Sequence, residues 1–181
     1  MSHISEKVKR DIMHGELSTL LIRPVNYFLY RFIHEIMYKL LSLGWALFFV
    51  FFVIIFFNEY LSVPSSVMAG VFFVGSLVIA FFLSSVFEFI VGFFSFWFGE
   101  TKAIQQVMHI TMIIFSGQIA PLTFFPAWFQ TIAHYLPFQF MAFIPVEIYR
   151  GTLTGLDLAA AVSLGIFWIL TMGVLAYWLW R

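Results

Sequence analysis

The sequence predicts an all-α, polytopic membrane helical bundle, and three observations predict it. Of 181 residues, 62% are hydrophobic and 22% aromatic, including 26 Phe, while 10% are charged and the mean hydropathy is +0.99, values far from those of a soluble domain. Long uncharged runs recur along the chain, and charges gather in residues 1–39. Prolines and glycines punctuate the apolar runs at places where a single helix cannot continue. A formal net charge of zero leaves no electrostatic footprint for nucleic acid, and the absence of cysteine excludes disulfide and thiolate chemistry. No short apolar core followed by a small-residue cleavage site is visible near residue 1, so the first spanning helix is expected to target the chain.

Two regions are expected, a charged amphipathic section over residues 1–39 and a transmembrane domain over 40–181. In the first, Ile4, Val8 and Ile12 recur at helical spacing while Glu6, Lys7, Lys9 and Arg10 take the other faces. Gly15 interrupts, Glu16 to Ile22 restarts a short helix, and Pro24 ends it by pushing the preceding residue out of helical geometry. A segment rich in Tyr, Phe, Arg and Lys then runs from Tyr27 to the membrane edge.

Four spans are expected. The first, Leu40 to Phe57 with its end near residue 58, is about 27 Å long as helix, close to the ~30 Å hydrocarbon core. Tyr38, Lys39, Asn58 and Tyr60 suit interface anchors, and NEYLSVPSS (58–66) reads as a polar turn. The second runs from Val67 to Phe87, with an apolar extension past Glu88 to Phe98 that implies either a long or bent helix or a following interfacial one. Ser76, Ala80 and Ser84 form a small-residue stripe, the mark of a packing seam more than of a groove. After GETK (99–102), the third span, Ala103 to Ala120, is polar on two faces. Gln105, His109 and Ser116 fall within about 40° of each other, so this helix should lie among other helices or beside a path. The fourth, Leu158 to Trp180, ends in the aromatic and basic anchor YWLWR. Glu88 either snorkels or marks the cytoplasmic end of its helix, pairs inside the bundle, with Lys102 as one candidate partner, or lines a path.

Lys7, Lys9, Arg10, Arg23, Arg31 and Lys39 precede the first span and place the N-terminus in the cytoplasm. Residues 121–151, PLTFFPAWFQTIAHYLPFQFMAFIPVEIYRG, then decide the other end of the chain. An interior proline costs a helix about 3 kcal/mol or more, and this stretch carries Pro121, Pro126, Pro137 and Pro145. The piece Ala127 to Leu136 would be about 15 Å long, half a bilayer, with Pro126 in its first turn. Pro145 and Gly151 bracket a second short helix. A pair of re-entrant or interfacial helices on the outer side follows, which leaves both termini cytoplasmic.

Catalytic motifs are absent. There is no Gly-Lys pair for a P-loop and no Gly-x-Ser-x-Gly, and HEIMY (34–38) has Tyr38 where a zinc-protease helix needs its second His. No metal site or cofactor is expected on this chain.

The order of features resembles permease subunits of the type-2 (ABC-2) family of ABC transporters, nearest to the multidrug or viologen exporter subgroup. The resemblance rests on DIMHGELSTLLIRPVNYFLYR (11–31), SGQIAPLTFFPAW (116–128), LPF (136–138) and IPVEIYRG (144–151). It implies a permease of the bacterial cytoplasmic membrane that exports a small molecule, drug or lipid. It also implies a second permease copy or paralogue and two ABC ATPase subunits that carry ATP and Mg. By this resemblance Gly15, Glu16, Leu17, Leu20, Leu21, Arg23 and Pro24 form the ATPase-coupling segment. Pro121, Pro126, Trp128, Pro137, Pro145 and Gly151 belong to an extracellular gate, and Gln105, His109, Ser116 and Glu88 are candidates for the pathway or bundle interior. Such permeases have six spans, so the four counted imply that two would precede residue 1. The alternative expectation is an accessory or truncated membrane protein that assembles with other helices without transporting by itself.

Overall fold

The computed structural model describes residues 3–22, 26–57, 67–98 and 102–180. Among them the chain is helical throughout, with no strand. Helix α1 (His3–Met13) forms on the Ile4–Val8–Ile12 stripe, which buries Ile4 and Val8 completely and Ile12 in part. It stops at Gly15, whose φ of +73° suits a residue without a Cβ, and α2 (Glu16–Ile22) restarts beyond it.

Asn26 caps the next helix, its Oδ1 accepting the Leu29 N–H at 3.2 Å. That helix, α3 (Tyr27–Phe57), joins the charged segment and the first expected span into one 31-residue rod. No proline or glycine breaks the run where the composition changes at Lys39 and Leu40. Helix α4 (Val67–Phe93) is followed by the short α5 (Ser95–Phe98), so the long apolar run is one spanning helix with a terminal break.

The third expected span is shorter than its apolar run. Helix α6 (Lys102–Ser116) ends because Gly117 turns left-handed at φ +78°, its N–H bonding Ile114 O and the Gln118 N–H bonding Ile113 O. A 3₁₀ turn (Leu122–Phe124), α7 (Ala127–Tyr135), a second 3₁₀ turn (Pro137–Met141) and α8 (Phe143–Arg150) follow. Pro126 takes the position just before α7 rather than inside its first turn, and α8 starts two residues before Pro145. Both are sites where a missing N–H costs nothing. Helix α9 (Gly155–Trp180) completes the chain.

Helix α4 is the axis of the bundle, with α1, α8, α9 and the Pro137–Met141 turn packed around it. At one end Ile4, Val8, Phe89, Phe93 and Ala176 bury one another; at the other Leu83, Phe140, Ile144 and Ile148 do so, with Phe72, Phe73 and Leu158 against them. Helices α4 and α9 therefore run parallel, each ending beside α1. We call that the basic end, because it carries Lys7, Lys9, Arg10 and Arg31. Residues 102–154 carry the chain back to the opposite end, where α9 begins.

The expected small-residue stripe is a packing seam over part of its length. Ser76 and Ala80 are buried, while the next residue of the stripe, Ser84, turns to α3. Close approach also occurs at Gly92, where a Cβ would lie 2.8 Å from Val8 Cβ, and at Gly165, where it would lie 3.0 Å from Ile79 Cγ2. Among the described residues three helices are long and apolar enough to cross a membrane: α3, α4 with α5, and α9. Helix α6, with 15 residues, is about 22 Å long.

Candidate functional site

A cavity of about 770 Å³ opens at the basic end between α1, α4 and α6. It unites three of the residues that the sequence singled out, Glu88 from α4 with Gln105 and His109 from α6. Lys102 lines the same cavity. From α1 come Ser5, Glu6, Lys9 and Arg10, and the apolar lining is Phe87, Val91 and Ile110. Gln105 holds α6 to α1 by donating from Nε2 to the Ser5 carbonyl at 3.2 Å. Arg10 and Glu6 pair across one helical turn at 3.4 Å on the exposed rim.

Charges of both signs above an apolar floor suit an amphiphilic molecule. Among the described residues no cluster of His, Asp or Glu has the arrangement to hold a metal ion. Ser116 stays apart from the other three. It is fully buried at the far end of α6, where its Oγ donates to Ile113 O at 3.1 Å.

The proline segment splits into an exposed and a buried half. Pro121, Pro126 and Trp128 are exposed, whereas Pro137 and Pro145 are buried, and Gly151 closes α8 at φ +73°. The buried half is a wedge. Gln139, 2% exposed, donates to His134 O at 2.7 Å, and Phe138 meets the ring of Phe87 edge-on at 5.1 Å. Phe87 also lines the cavity, so the proline turn backs the wall of the site. Phe87 lies about 30 Å along α4 from Val67, which means the turn reaches deep along the bundle.

In the candidate coupling segment, Glu16 is exposed beside the left-handed Gly15. Leu17 and Leu20 are half-buried and pack back onto the apolar cluster at the basic end. Leu21 lies within α2 but its side chain, like the whole of Arg23 and Pro24, is outside the described residues. The same holds for the expected anchors Asn58 and Tyr60.

Two polar clusters escaped sequence reasoning. Asp11, 1% exposed, accepts the Tyr27 hydroxyl and Arg31 Nε, each at 2.7 Å, and Arg31 Nη2 pairs with its second oxygen. The available signal was position, since Asp11 stands three residues after Val8 on the apolar face of α1, where a carboxylate needs a partner. Lys39 on α3 donates to Ser84 and Ser85 on α4 at 3.1 and 3.2 Å and pairs with Glu35 at 3.5 Å. Glu35, met in the sequence as part of HEIMY, is thus an ion-pair partner.

Comparison with known proteins gives one result. Residues 1–181 match the model of a family described as ABC-2 family transporter protein. No curated protein and no solved structure matches the chain.

Proposed function

The chain belongs to the ABC-2 transporter family, and from that premise we propose that it is the permease subunit of an ATP-driven exporter, moving a small molecule, drug or lipid outward across a bacterial cytoplasmic membrane. Family membership over the whole chain is the observation that carries the reading, and it makes the protein a component of membrane transport. Separate ABC ATPase subunits bind ATP and Mg, and a second permease copy or paralogue completes the pathway.

Four passes with both termini in the cytoplasm fit this reading best. Support comes from the stack of Trp180 on Tyr27, which brings the end of α9 to the basic end. Further support is that residues 102–154 make one net return between the parallel α4 and α9. ATP-closed ATPases engage Gly15 to Pro24, with Glu16, which is exposed, and Arg23 as the polar contacts. Leu17 and Leu20 hold α2 against the bundle. The cavity with Glu88, Gln105 and His109 lies next to this segment and forms the cytoplasmic part of the path. Residues 121–151 form an outer gate whose buried proline turn touches that path through Phe87 and Phe138. ATP binding favours one of two arrangements of the helical bundles.

A second reading, an accessory bundle that assembles with other helices without transporting, draws on the exposed apolar flank of α3 from Leu40 to Phe56. Co-purification with a candidate ABC ATPase separates the two. The exporter reading expects a stable complex whose ATP turnover responds to transported compounds, and uncoupling of that turnover from export in the Glu16→Ala, Arg23→Ala double variant. A complex with no transport, or none at all, favours the accessory role.

A further inference from the structure

Helix α3 has two different halves. From Tyr27 to Lys39 it is packed, with Phe28 against Phe89 and Phe93, and Phe32 against Phe81 and Phe82. From Leu40 to Phe56 every residue is exposed, although the helix continues without a break. Lys39 stands at the boundary. Its ammonium has three N–H groups and meets three acceptors: Ser84 Oγ at 3.1 Å, Ser85 Oγ at 3.2 Å and Glu35 Oε1 at 3.5 Å. The same Nζ lies 4.4 Å from the centre of the Phe81 ring. Ser85 is fully buried and Glu35 is 7% exposed, so two of the three acceptors are held within the packed half.

We infer that Lys39 is a latch that fixes where α3 parts from α4 and thereby sets the tilt of the free half of α3. The cost of an ammonium in apolar surroundings is met only while all three acceptors stay in reach, so small movements of α3 away from α4 are opposed at this point. Aromatic packing below the latch is non-directional and tolerates sliding, whereas hydrogen bonds fix both distance and rotation. From Leu40 to Phe56 every residue of α3 is exposed, and among the described residues Lys39 makes the last polar tie of α3 to α4 before about 27 Å of helix. Substrate and ATPase do not enter the inference, which stands or falls separately from the exporter reading.

The full chain in lipid nanodiscs provides the test. It contains no cysteine, so added pairs take spin labels cleanly. Phe49→Cys with Val74→Cys, both exposed, reports the α3–α4 separation beyond the latch, and Val78→Cys with Ile166→Cys reports α4–α9 as a control. Native protein should give a narrow α3–α4 distance distribution. Lys39→Met should widen it about twofold as α3 explores the ~0–40° range of tilts open to spanning helices, and Lys39→Arg should restore most of the narrowness. The Ser84→Ala, Ser85→Ala double variant, which keeps the Lys39–Glu35 pair, should widen it as well and serves where Lys39→Met does not fold. An α3–α4 distribution unchanged in these variants overturns the latch. Equal widening of the control pair also overturns it, because Lys39 would then support the whole bundle and not the position of α3.

Discussion

Tyr27 and Trp180 lie face to face, ring centres 5.2 Å apart and planes within 5° of parallel, although 153 positions (180 minus 27) separate them in the chain. The stack joins the start of α3 to the end of α9. Tyr27 also donates to Asp11 on α1, so three helices meet at one phenol. Arg31 completes the node from the next turn of α3.

Removing the carboxylate from this node should be costly. Asp11→Ala leaves Arg31, whose side chain is 11% exposed, without its counter-charge, and a loss of about 3–5 kcal/mol is expected. Tyr27→Phe removes one charge-assisted hydrogen bond but keeps the ring on Trp180, and should cost less, about 1.5–3 kcal/mol. Thermal unfolding of the detergent-solubilised chain orders the two variants; equal losses would mean that packing, and not the ion pair, dominates the node.

Gly92 is a point of close approach between α1 and α4. Gly92→Ala pushes a methyl to 2.8 Å from Val8 Cβ and 3.3 Å from Ser5 Cα, an overpacking worth about 1–3 kcal/mol. Adding Val8→Ala should not rescue it, because the nearest atom is the Cβ that alanine keeps. Proteolytic release of α1 gives the readout, and rescue by Val8→Ala would show that the branched methyls set the fit.

Two glycines should respond to alanine with opposite sign. Gly117 ends α6 at φ +78° with Phe143 Cβ 3.4 Å from any added Cβ, so Gly117→Ala should destabilise by roughly 1–2 kcal/mol. Gly44 lies inside α3 with nothing within 4 Å, and Gly44→Ala should be neutral or gain up to about 0.5–1 kcal/mol. Melting temperatures of the two variants check the contrast.

Cysteine labelling tests the side on which α7 lies. His134 is exposed, whereas Gln130 is half-buried and donates to Phe125 O at 2.7 Å. In intact cells an impermeant maleimide should modify His134→Cys quickly and Gln130→Cys more slowly, both from outside. Modification only after the inner face is opened would reverse the topology and remove the outer gate.

Much of this architecture is written in local sequence. The Ile4–Val8–Ile12 stripe gives α1, uncharged runs give the spanning helices, and Gly15 and Gly151 mark helix ends through left-handed geometry that neighbouring residues disfavour. Prolines divide residues 121–151 into the short helices that are observed, since each removes a donor and limits the residue before it. The cavity was half legible: Gln105 and His109 share a face of α6 by spacing alone, and Ser116, on the same face, is carried some 16 Å away by the helical rise.

Most helix positions and their polar faces are legible in the chain, because they depend on hydrogen bonds and burial within a few turns, although the third expected span is a helix of 15 residues. Tertiary packing pairs Asp11 with Arg31, brings Lys39 to Ser84 and Ser85 and Phe138 to Phe87, and returns α9 to Tyr27. Each of these joins helices far apart in the chain. No periodicity records which of several polar or aromatic residues will face another, because that choice belongs to how whole helices pack.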